Sequence, residues 1–112
     1  GNSAMAERRF ERALELDAGN PEVHLSLGTA RFEAGRVNDA IARFERALAL
    51  DPANSAGWSN LGSVYLSQNR LAEAISAFER ALEGSPQASS AAAGLVEARR
   101  RRSLTPRLPG RI

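Results

Sequence analysis

The stretch from Trp58 to Leu82, WSNLGSVYLSQNRLAEAISAFERAL, is a second version of HLSLGTARFEAGRVNDAIARFERAL, His24 to Leu48. The copies are offset by 34 residues: Leu27 falls on Leu61, Gly28 on Gly62, Ala40 on Ala74, Phe44 on Phe78, Ala47 on Ala81 and Pro52 on Pro86. A fixed period of this length marks stacked supersecondary units, each too thin to bury its own apolar face. Any fold for this chain must repeat.

Each unit reads as two helices. His24, Leu27, Gly28 and Arg31, and likewise Trp58, Leu61, Gly62 and Tyr65, recur at three- and four-residue steps. Ala40, Phe44, Ala47 and Leu48 share a face in the second half. That period is 3.6 and not 2. EAGR and SQNR break it and supply the turn within a unit, and DPAN ends the second helix. Asn20 before Pro21 has the chemistry of a helix start, an amide oxygen for a free N–H followed by a residue that lacks one. Asn54 stands in the same place one period later. Glycine inside a helix costs roughly 1 kcal/mol against alanine, so Gly28 and Gly62 imply close helix packing. Ala40 and Ala74 are the expected partners, with Phe44 and Phe78 filling the remaining space.

The spacing resembles the tetratricopeptide repeat: a large residue, Leu-Gly, an aromatic, then Ala, an aromatic, Ala and a closing Pro. The second copy carries all of them in Trp58, Leu61, Gly62, Tyr65, Ala74, Phe78, Ala81 and Pro86. The first departs twice, with His24 in the Trp slot and Arg31 in the Tyr slot. The resemblance implies an all-α fold, a right-handed superhelix of antiparallel helix pairs. Six helices are expected, at about 4–17, 21–34, 38–50, 55–68, 71–84 and 89–102. Residues 1–4 read as an expression scar. Residues 5–102 form the repeat domain: a half repeat over 5–20, full repeats over 21–54 and 55–88, and a capping helix over 89–102 with Ala92, Leu95, Val96 and Arg99 facing inward. Residues 103–112 form a basic tail containing prolines.

The resemblance also implies function. Members of the family bind a peptide or partner segment in the concave groove lined by first helices. The corresponding wall here comprises Glu22, Leu25, Thr29, Phe32 and Glu33, then Ser59, Asn60, Ser63, Leu66 and Ser67. Phe32 and Leu66 would be apolar anchors. Asn60 matches an asparagine that the family often uses to hold a peptide backbone, since an amide donates and accepts at once. The wall lacks the Lys/Arg set with which some relatives grip a terminal carboxylate.

Other features bear on partners. The first helix should present Ala6, Phe10 and Ala13 where a partner helix belongs, an association face suited to head-to-tail contact. Leu14 and Leu16 should face the next repeat. All fifteen basic residues are Arg, unevenly spread. Residues 1–98 carry nine against thirteen acids, −4, whereas 99–112 carry six and no acid, +6. A uniformly basic nucleic-acid binder would not look like this. Arg99, Arg100, Arg101 and Arg102 are expected to form a charged collar pointing in four directions, favourable to the helix dipole. Leu104, Leu108 and Ile112 could occupy a groove.

No catalytic constellation is evident. Cysteine is absent and His24 is the single histidine, so no metal site of the usual His or Cys spacing is expected, nor any cofactor. No apolar run reaches the roughly 18 residues of a membrane span. The preferred reading is a non-enzymatic interaction module. The alternatives are an accessory repeat segment of a larger enzyme, such as a glycosyltransferase, and electrostatic binding of nucleic acid through the tail. The lack of an aromatic after the arginines disfavours the last.

Overall fold

A computed structural model describes residues 4, 5, 8, 9, 11, 12 and 16–104. The expected association residues Ala6, Phe10 and Ala13, and the segment 105–112, lie outside the described residues, as does Leu14. The described positions among 4–16 are helical, and five further helices have defined bounds: α1 (Pro21–Glu33), α2 (Val37–Leu50), α3 (Ser55–Ser67), α4 (Leu71–Gly84) and α5 (Ser89–Leu104). No strand occurs among the described residues. The bounds agree with expectation within a residue or two, α5 running on through Leu104.

The helix ends follow from local chemistry. Asn20 accepts from the Glu22 N–H at 3.0 Å and Asn54 from the Gly57 N–H at 2.9 Å, capping α1 and α3. The two intra-unit turns place equivalent residues in the left-handed region, Gly35 at φ 81° and Asn69 at φ 58°. Glycine carries no penalty there, and asparagine tolerates it better than most residues.

α1 pairs with α2, α3 with α4, and α5 packs on α4, giving a solenoid with two joined cores. Phe44 and Phe78 sit at their centres, 2 % and 1 % exposed. The glycines make room for these rings and not for the alanines: a Cβ on Gly28 would lie 2.6 Å from Phe44 Cε1, and one on Gly62 2.7 Å from Phe78 Cε1.

Both departures in the first repeat have a structural account. His24 is 2 % exposed, and its Nε2 donates to the Ala18 carbonyl at 3.0 Å. One period later Trp58 Nε1 donates to the Pro52 carbonyl at 2.8 Å. The imidazole reproduces the indole's bond. Arg31, 8 % exposed, donates to Glu11 at 2.9 Å and to Asp39 at 3.3 Å, tying the chain before α1 to α2.

Two expectations need correction. Leu16 is 82 % exposed, and its equivalent one period later, Leu50, is exposed too: each closes a second helix just before the turn into the next pair, where that pair does not cover it. In α5 the buried residues are Ala91, Leu95 and Ala98, whereas Ala92 and Arg99 are exposed and Val96 is 68 % exposed. The strict period puts Ala92, Val96 and Arg99 where Trp58, Gly62 and Tyr65 meet α4. Among the described residues no helix follows α5 to meet them, so only its face toward the preceding pair is buried.

Candidate functional site: the face of the first helices

The ten wall residues fall on one side of α1 and α3, since each set spans about a third of a helical turn. On α1, Glu22, Thr29 and Glu33 are exposed, and Phe32 is half-buried against the first core. Leu25 is buried within that core and offers no open surface. On α3, Ser63 and Ser67 are exposed, Ser59 and Asn60 are half-buried, and Leu66 is half-buried against the second core.

The hydroxyls of this face are directed to their own helices. Thr29 donates to the Leu25 carbonyl at 3.0 Å, Ser63 to Ser59 at 3.1 Å and Ser67 to Val64 at 2.6 Å. Their oxygens keep acceptor capacity, but their protons are spent. Asn60 differs: its amide makes no hydrogen bond among the described residues. It combines partial burial with unspent donors and an unspent acceptor.

α5 extends the face in a way the sequence reading missed. Ser90 Oγ lies 3.5 Å from Ser59 Oγ, and Arg101 donates to the Leu66 carbonyl at 3.4 Å. Shifting Ser63, Leu66 and Ser67 by one period lands on Glu97, Arg100 and Arg101, so the signal was present in the repeat itself. The arginine collar therefore has two sides. Arg100 and Arg101 both bind Glu97, at 2.8 and 2.6 Å, beside Leu66. Arg99 binds Glu79 of α4 at 2.9 Å, and Arg102 lines a depression with Ile75 and Ser103. Hydrogen bonds from Arg100 and then Arg101 hold the Glu97 carboxyl down to about 2. A single internal carboxylate thus engages two of the cations at this end of the face.

A hollow lies elsewhere on the solenoid, away from the ten wall residues. A cleft of about 470 Å³ between α2, α3 and α4 has Leu48, Trp58, Leu61 and Tyr65 in its walls, with Glu45 and Glu73 beside them. None of the ten wall residues lines it. The Arg70 guanidinium sits 4.6 Å from the Tyr65 ring centre, and that of Arg80 sits 4.9 Å from Trp58. Burial, then the Glu45 carboxylate, pushes the Tyr65 hydroxyl above its ordinary value. Among the described residues no cluster of His, Cys, Asp and Glu could hold a metal ion, and no helix is long and apolar enough to cross a membrane.

Comparison with known proteins agrees with this architecture. A family model described as tetratricopeptide repeat matches residues 1–41 and 25–89. No curated protein matches the chain. Among solved structures, the first TPR of Spaghetti (RPAP3), bound to the HSP90 peptide SRMEEVD, superposes with TM-score 0.87 at 22 % identity, covering 92 % of this chain and 82 % of that one. The Sgt2 TPR domain from Aspergillus fumigatus gives 0.86 at 23 %, covering 91 % and 69 %. The MamA protein gives 0.85 at 27 %, covering 93 % of this chain but 57 % of MamA. The chain therefore spans little more than half the length of that relative.

Proposed function

Because the chain belongs to the tetratricopeptide repeat family, we propose that it is a protein-interaction module whose first-helix face receives a peptide or partner segment. The observation that carries this reading is Asn60. A half-buried amide with its hydrogen-bonding capacity unspent is costly unless water or a ligand satisfies it. An extended backbone offers one carbonyl and one N–H per residue, which one carboxamide can engage together. Phe32 and Leu66 supply apolar contact on either helix, and their partial burial holds them without ordering cost at binding.

The RPAP3 domain was solved with an HSP90 peptide, which supports peptide binding on this architecture. The acidic character of that peptide does not carry over. Glu22 and Glu33 would oppose it on α1, and Arg100 and Arg101 are engaged by Glu97. A segment with few acids, bearing apolar residues spaced for Phe32 and Leu66, fits better.

The test is binding of the whole chain to an array of short peptides varied in charge and apolar spacing. Asn60→Ala should weaken the selected peptides about tenfold, the upper range for a lost hydrogen bond. Phe32→Asp and Leu66→Asp should remove binding while circular dichroism stays unchanged. Equal capture by all three folded variants would refute this reading.

A further inference from the structure

The cleft between α2, α3 and α4 shares no residue with the proposed peptide face. Trp58, Leu61 and Tyr65 form a stripe along α3 that spans about 10 Å at the helical rise. Leu48 of α2 and Ala77 of α4 border it, and each of those helices adds a carboxylate, Glu45 and Glu73. The volume, about 470 Å³, lies within the usual range of ligand pockets, roughly 300–1,000 Å³.

The two carboxylates differ. Arg70 donates to both oxygens of Glu73, through Nε and Nη2, while its guanidinium lies 4.6 Å from the Tyr65 ring centre. Ring, guanidinium and carboxylate make a complete unit there. Glu45 has the ring without the guanidinium. Burial raises the Tyr65 hydroxyl most, and the Glu45 carboxylate does so next, which makes the two groups neighbours. Glu45 nevertheless accepts no hydrogen bond and makes no ion pair among the described residues. Arg70 Nη1 donates to Gln68 instead. Neither Arg70 nor Arg80, whose guanidinium lies 4.9 Å from Trp58, lines the cleft, so both rings keep surface turned toward it.

A carboxylate alone would attract any cation. The apolar stripe adds a second, independent requirement: an occupant must cover Leu48, Leu61 and Trp58 while its charge reaches Glu45. A basic side chain does both, because its methylenes lie along apolar surface and its charged head stays at the edge. A guanidinium fits better than an ammonium. Its plane stacks on an aromatic ring and its paired donors fork onto a carboxylate, as those of Arg70 do with Glu73.

We propose that the cleft is a second docking site, which receives an arginine side chain from a partner protein, its stem on the Trp58–Leu61 stripe and its guanidinium on Glu45 beside Tyr65. An apolar neighbour of that arginine covers the rest of the stripe.

Trp58 is the single tryptophan and lines the cleft, so its fluorescence reports occupancy. The probe is an acetylated, amidated peptide with Leu-Arg-Leu at the centre of a Gly/Ser chain, titrated into the whole protein beside a twin carrying Leu-Gln-Leu. The arginine peptide should give a saturable change in Trp58 emission, and the glutamine twin should bind roughly tenfold more weakly, having lost the charge-assisted bonds. Glu45→Gln, at an exposed position of α2, should weaken the arginine peptide about tenfold with circular dichroism unchanged. Asn60→Ala should leave its affinity as it was. The absence of a saturable change, or equal affinity for the two peptides, overturns the proposal. So does an unaltered affinity in Glu45→Gln. A loss in Asn60→Ala as large as that in Glu45→Gln also overturns it, because the peptide would then lie on the first-helix face. None of these failures touches the peptide-face reading, whose residues Asn60, Phe32 and Leu66 do not line the cleft.

Discussion

The Phe78 ring is held between two glycines of different helices: a Cβ on Gly62 would lie 2.7 Å from its Cε1, and one on Gly94 2.4 Å from its Cζ. Gly94 is how α5, which has no following partner among the described residues, still packs tightly on the preceding pair. Alanine in a helix is ordinarily better than glycine by roughly 1 kcal/mol. At Gly94 the methyl would meet a ring 1 % exposed, and overpacking of that kind costs about 1–3 kcal/mol. Gly94→Ala should therefore lower the melting temperature. Phe78→Ala should cost about 3–5 kcal/mol. In the double variant the alanine at 94 should no longer harm, so the two effects should be clearly non-additive in a double-mutant cycle.

His24 and Trp58 make the same bond to equivalent carbonyls, which isolates its worth in two contexts. His24→Phe and Trp58→Phe keep an aromatic body and delete the donor. Each should cost about 0.5–1.5 kcal/mol in urea unfolding. His24→Phe also removes the buried Nδ1, which has no hydrogen-bond partner, so its penalty should be the smaller of the two. A larger loss at position 24 would contradict that ordering.

The repeat made the helix pairs, the two Asn caps and the burial of Phe44 and Phe78 readable, because identical residues return at identical phase. It misled where position in the array matters more than phase. Val96 and Ala92 occupy inward slots whose partner helix does not follow among the described residues, so the same spacing leaves them in solvent. Leu25 occupies a wall slot yet is buried: a Cβ on Gly57 would lie 3.4 Å from its Cδ2, so α3 approaches closely there and covers it. The collar of four arginines concealed a two-sided arrangement, since charge alone does not say that Glu97 gathers Arg100 and Arg101. Asn60 was legible as a residue type by resemblance, and its unspent amide emerged only from the hydrogen bonds around it.

Arg31 tests how a charged residue serves in an aromatic slot. Its guanidinium reaches Glu11 and Asp39, whose side chains remain about half exposed. Removing it leaves Glu11 facing water and Asp39 paired with Arg36, so the loss is one of packing and of charge-assisted hydrogen bonds. Arg31→Ala should cost about 1.5–3 kcal/mol. Arg31→Tyr restores the residue found at the equivalent position 65 and should recover the packing part, measured as a higher urea midpoint than Arg31→Ala. Equal midpoints would mean that the ion pairs carry the whole effect.

Glu97 gives the chain a pH signature at the end of α5. Arg100 and Arg101 hold its carboxyl at about 2 in the folded protein, against 4.5 ordinarily. A folded-state value below the unfolded one means that the unfolded chain binds the proton first. The stabilisation is complete above pH 4.5 and is lost as pH falls from there toward 2. The side chain is only partly covered, so the effect should be small and weakened by salt. Thermal melts of the whole chain followed by circular dichroism should fall more steeply between pH 4.5 and 2.5 than those of Glu97→Gln, which lacks the titrating group. Parallel curves would show that the Arg100 and Arg101 contacts to Glu97 are not kept in solution.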